Sequence, residues 1–118
     1  MPQDGKWKEK ILHNFGKGKD GIEPLSGLIF DAAGNLYGTT SEGGAIDCGP
    51  YYAGTAFELK PEADGEWSET RLESFCENNP GGGGPGTGGL IFGASGKLYG
   101  LNYAGGTYDG GTAFDFKP

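Results

Sequence analysis

Sulfur, imidazole and basic charge are scarce in this chain, and long apolar runs are missing. Of its 118 residues, two are cysteine, one is methionine and one is histidine. Neither Cys48 nor Cys76 belongs to a CxxC motif, and His13 is the sole imidazole, so the set falls short of a structural zinc site. Acid–base catalysis needs a partnered group in a pocket, and His13 reads instead as a surface strand residue. Lysine and arginine total 9 against 16 acidic residues, for a net charge of -7. That balance disfavours nucleic acid and anionic membrane surfaces, both of which call for a basic patch. No stretch approaches the ~20 apolar residues of a membrane helix, so no membrane span is expected. The start, Met1 to Lys10, lacks the apolar core of a signal peptide. Helical periodicity is absent. So are the Dx[DN]x[DN]G calcium loop and the GK[ST] ending of a phosphate loop. No metal and no cofactor is expected.

Glycine is abundant instead, at 26 residues beside 7 prolines, a level at which disorder has to be weighed. Repetition and aromatics argue against it. Gly27 to Gly38 (GLIFDAAGNLYG) recurs at Gly89 to Gly100 (GLIFGASGKLYG), with nine of 12 positions identical and an offset of 62. Gly54 to Pro61 (GTAFELKP) recurs as Gly111 to Pro118 (GTAFDFKP), and Trp7 to Phe15 matches Trp67 to Phe75 at Trp, Glu, Leu and Phe. Most glycines fall at turn positions between short apolar runs, which is the pattern of many short strands.

Each unit then contains four strands: LIF, LYG, GTAF and WxExxL. LIF and LYG form a hairpin whose turn, Asp31 to Asn35, has Gly34 to take a positive φ. Repeat 1 covers about 7–61 and repeat 2 about 67–118, within one domain of residues 1–118 and with a glycine-rich connection over 77–88 that reads as slack. Four short antiparallel strands in a repeated unit of this size mark a β-propeller blade. The expected fold is all-β, with two four-stranded antiparallel propeller-type blades. A propeller ring usually takes about 4 to 8 blades, so two leave open edges. Self-association through those edges is expected, with Trp7 to Phe15 pairing onto Gly111 to Pro118 of its own chain or a neighbour.

No catalytic constellation stands out. Asp4, Asp20, Asp64 and Asp109 are accounted for by Asp-Gly turns. Tyr51, Tyr52, Tyr103 and Tyr108 lie in or beside the two loops between the LYG and GTAF strands. They are candidates to stack on a glycan or receive a protein ligand, or else they pack over the loops. Cys48 sits in the first of these loops and Cys76 directly follows the WxExxL strand. In an up-and-down sheet both emerge at the same edge, within reach of the ~5.5 Å Cα separation of a disulfide. The alternative is two free thiols, and the compartment decides between them.

The run from GLIFDAAGNLYGTTSEGG to GTAFELKP resembles the GloVer (Gloeo-Verruco) tandem repeat of bacterial surface proteins. Leu12, Phe15, Asp20-Gly21, Pro24 and Gly43-Gly44 also match its pattern. Repeat 2 departs from it at Gly93 for Asp31, Lys97 for Asn35 and Leu101-Asn102 for Thr39-Thr40. The core is similar to NHL and two-component-regulator propeller repeats as well. The resemblance implies an extracellular or cell-surface, propeller-like protein and carries no established activity. The expected function is a non-catalytic binding or structural module. The alternatives are a polysaccharide-acting enzyme domain and a remnant without separate function.

Overall fold

The computed structural model describes residues 7–16, 21–42, 44, 54–75, 83–85, 89–104, 107–108 and 110–118. Among them every element is a strand. Three tight turns of one build direct the chain. In each, the first N–H bonds the carbonyl four residues on, and the N–H of a glycine three residues on returns to the first carbonyl. The turns are Asp31–Asn35 (3.0 and 3.2 Å), Glu62–Glu66 (2.8 and 3.1 Å) and Gly93–Lys97 (2.8 and 3.2 Å). The glycines, Gly34, Gly65 and Gly96, have φ of 90°, 86° and 82°, a conformation that side chains with a Cβ adopt at a cost.

The first sheet contains β1 (Ile29–Phe30), β2 (Leu36–Thr40), β3 (Thr55–Pro61) and β4 (Trp67–Ser74), in that spatial order. All neighbours are antiparallel, with Leu36 opposite Leu59 and Thr40 opposite Thr55. The register of β3 on β4 shifts between Ala56 and Phe57, opposite Glu73 and Arg71. That leaves Leu72 as an extra, bulged residue, and it packs into the cluster of Tyr37, Leu90 and Leu98. In the second sheet β7 (Leu98–Ala104) is central. β5 (Gly83–Pro85) and β6 (Ile91–Phe92) share one of its edges, and β8 (Thr112–Phe116) takes the other.

The all-β antiparallel expectation and the strand order of the first unit therefore hold, and three details differ. The second sheet holds four strands but is only three positions wide, because no described residue pairs with the outer edge of β8. Trp7 to Phe15 is not a strand and does not pair with β8 of its own chain. Strand geometry needs a neighbour's backbone, and the segment is held by side chains instead: Leu12 and Phe15 pack on Leu36, Phe57 and Leu59, and Lys10 Nζ donates to the Gly65 carbonyl at 2.6 Å. The glycine-rich connection is not all slack, since Gly83 and Pro85 pair with Ala104 and Asn102. Ile22 opposite Glu42 holds the matching edge of the first sheet. Edge pairing uses backbone alone, so glycine can replace isoleucine there, and an edge tolerates proline.

The sheets pack face to face. Alternation turns Leu36, Phe57 and Leu59 to one face of the first sheet, under residues 12–15 and Trp67. It turns Tyr37 and Ala56 to the other, against Leu90, Leu98, Phe92, Phe114 and Phe116. Fully burying a Phe or Leu contributes about 1.5–3 kcal/mol, so both layers hold the first sheet in place. Gly38 and Gly100, in the middle of β2 and β7, are required by space. A Cβ on Gly38 would lie 2.9 Å from both Leu28 Cδ2 and Phe57 Cζ, and one on Gly100 would lie 2.6 Å from Phe114 Cζ and 2.9 Å from Leu90 Cδ2.

Candidate interaction surface

In β7, Leu98 and Asn102 turn inward and are buried, while Tyr99, Leu101 and Tyr103 turn outward. Ile91 from β6 joins them, opposite Tyr99 in the register. With Ala113 and Asp115 of β8 they line an open concavity of about 970 Å³. The same strand face in the first sheet carries Tyr37, Thr39 and Ser41, and there Tyr37 is 4% and Thr39 3% exposed beneath the second sheet. Tyr99 is 39% exposed and Leu101 68%. An exposed apolar cluster on a sheet face marks an interaction site more often than a lone exposed residue does.

The two tyrosines have different surroundings. The Tyr37 hydroxyl lies 2.9 Å from Asp31 Oδ2 and 3.0 Å from Glu58 Oε2. With one proton, it donates to one carboxylate at a time. Burial, and then the bonds to Asp31 and Glu58, push the phenol well above its usual range. Asp31 is lowered to about 2, first by the Asn35 side-chain amide, helped by the Asn35 and Ala33 N–H groups and the Tyr37 hydroxyl and opposed by desolvation. Asp31 accepts from the Ala33 and Asn35 N–H groups, the Asn35 side-chain amide and the Tyr37 hydroxyl, and so anchors the turn. At the second site Gly93 replaces Asp31 and the Tyr99 ring lies against it, closer than a Cβ would permit. Lys97 and Asp115, in the places of Asn35 and Glu58, form an exposed pair at 3.4 Å, a contact of small energetic weight.

Of the tyrosines singled out from sequence, Tyr103 belongs to β7 and lines the concavity. Tyr108 is 93% exposed and does not line it. Tyr51, Tyr52, Cys48 and Cys76 lie outside the described residues. His13 packs edge-on against Phe15 at 4.6 Å between ring centroids. Ile91, Tyr99 and Leu101 were not singled out. The available signal was the replacement of Thr39 and Ser41 by Leu101 and Tyr103 at matching positions of one strand face.

Among the described residues no three His, Cys, Asp or Glu side chains are grouped to hold a metal ion, and no helix is long and apolar enough to cross a membrane. No family model, curated protein or solved structure matches the chain.

Proposed function

We propose that the two sheets are propeller-type blades of a GloVer-like repeat module, and that the chain works as a non-catalytic binding or structural scaffold outside the cell. The observation that carries this reading is the outward face of Ile91, Tyr99, Leu101 and Tyr103, left open where the equivalent face of the first sheet receives the next one. An up-and-down sheet order and face-to-face stacking of matching sheets support the blade assignment. The resemblance described above supports the location. A disulfide between Cys48 and Cys76 belongs to the same reading. Its support is that Thr55 lies opposite Ser74, so the chain enters β3 and leaves β4 at one edge.

The test is to incubate the purified, folded protein with polysaccharide and peptide arrays while following product release. Binding without turnover, weakened by Leu101→Ser, is the expected result. Turnover abolished by a single carboxylate change would replace the scaffold with a polysaccharide-acting enzyme. A chain that yields no stable protein would mark a remnant.

A further inference from the structure

The register of β7 on β8 sets Tyr99 opposite Asp115, as that of β2 on β3 sets Tyr37 opposite Glu58. Facing side chains on adjoining strands lie about 5 Å apart at Cβ, close enough for one bound group to touch both. In the first sheet the pair is closed on itself. The Tyr37 hydroxyl lies 3.0 Å from Glu58 Oε2, and Tyr37 is 4% exposed. In the second sheet the pair is open. Gly93 stands in the place of Asp31, and the Tyr99 ring leans against it into space that a Cβ would fill. Asp115 Oδ2 meets Lys97 Nζ at 3.4 Å instead, and both side chains are about half exposed.

The surroundings decide what fits this opened pair. Among the described residues lining the concavity, Asp115 holds the one charged side chain. The chain as a whole carries -7. Both favour a cation. Ile91 and Leu101, 65% and 68% exposed, flank Tyr99 and offer no hydrogen bond. A saccharide seated on them would give up water at its hydroxyl groups without regaining partners. The apolar side chains of a peptide would not. Arginine suits the pair itself, because its planar guanidinium takes a carboxylate through two N–H groups and stacks on an aromatic ring.

We propose that the concave face of the second sheet takes an arginine-bearing, otherwise apolar peptide segment of a partner protein. The guanidinium displaces Lys97 from Asp115 and lies over the Tyr99 ring. The apolar neighbours of that arginine cover Ile91, Leu101 and Tyr103. This inference rests on reading the chain as a binding scaffold and names the ligand class of that face. Lys97 then competes with the ligand for Asp115, and Gly93 leaves the room that the Tyr99 ring occupies.

The test is fluorescence anisotropy of a short labelled peptide of alternating arginine and leucine, titrated with the full chain. Matched peptides carry glutamine or glutamate at the arginine positions, and a labelled neutral glucan oligomer is the saccharide probe. Circular dichroism confirms that each variant folds. The arginine peptide is expected to bind most tightly. Tyr99→Leu should weaken it about threefold, the effect of an exposed cation–π contact. Asp115→Asn should weaken it about as much and flatten its dependence on salt. Lys97→Gln should tighten it, which a purely structural role of Lys97 does not explain. Gly93→Ala, which crowds the Tyr99 ring, should weaken it. Equal affinity of wild type, Tyr99→Leu and Asp115→Asn would overturn the proposal, since the acidic surface at large would then be the attractant. So would tighter binding of the glutamate peptide, or binding of the glucan in place of the arginine peptide. Glucan binding without turnover leaves the scaffold reading standing, and product release in the same samples would overturn that reading separately.

Discussion

Phe15 packs against Phe57 with ring centroids 4.9 Å apart, although no strand pairing holds Phe15 in place. The segment carrying it is thus a side-chain cover over Leu36, Phe57 and Leu59. Phe15→Ala is expected to destabilise the chain by about 2 kcal/mol, below the usual cost for a fully buried Phe because this one is half-buried. Urea denaturation followed by tryptophan fluorescence measures it. A change within error would show that the cover contributes nothing.

Gly38 and Gly100 are held by space, Gly96 by conformation. Gly100→Ala forces a methyl group against Phe114 and Leu90 and should cost about 1–3 kcal/mol. Gly96→Ala meets open space but keeps φ near +82°, and should cost about 1 kcal/mol. The two separate by rescue: Phe114→Leu, which makes room, should restore part of the Gly100→Ala loss and none of the Gly96→Ala loss. Equal rescue of both would refute the steric account.

Asp31 titrates at about 2 in the folded chain against an ordinary 3.8. A depressed folded pKa adds stability above the unfolded value and loses it as pH falls. Wild type should therefore weaken between about pH 4 and pH 2 more steeply than Asp31→Ala, read as melting temperature against pH. Tyr37 has the opposite sign. Its folded pKa is raised, so its contribution is present below the ordinary value of 10.0 and is lost as pH rises beyond it. Phenolate absorbance should show an ionisation step well above the usual tyrosine range, missing from Tyr37→Phe.

The hairpins were legible in the sequence because their turns repeat a glycine with positive φ at one spacing, and because LIF, LYG and GTAF alternate around it. The segment Trp7 to Phe15 was misread as a strand because its alternation is real but strand geometry depends on a neighbouring edge. β5 was hidden because glycine has no side chain to announce pairing by backbone alone. The open face became visible only once the parity of β7 was fixed, since Tyr99, Leu101 and Tyr103 share one side and a one-residue shift would have buried them.

Cys48 and Cys76 are expected to be joined in protein recovered from an oxidising compartment, with a stabilisation of about 3 kcal/mol. Alkylation without reductant, followed by intact-mass measurement, should add no label. Two labels on natively secreted protein would end the pairing.

The most direct measurement is binding of the folded chain to polysaccharide and peptide arrays, with Leu101→Ser beside wild type and product release followed throughout. The account predicts binding that Leu101→Ser weakens, and no turnover. Turnover abolished by a single carboxylate change would contradict it.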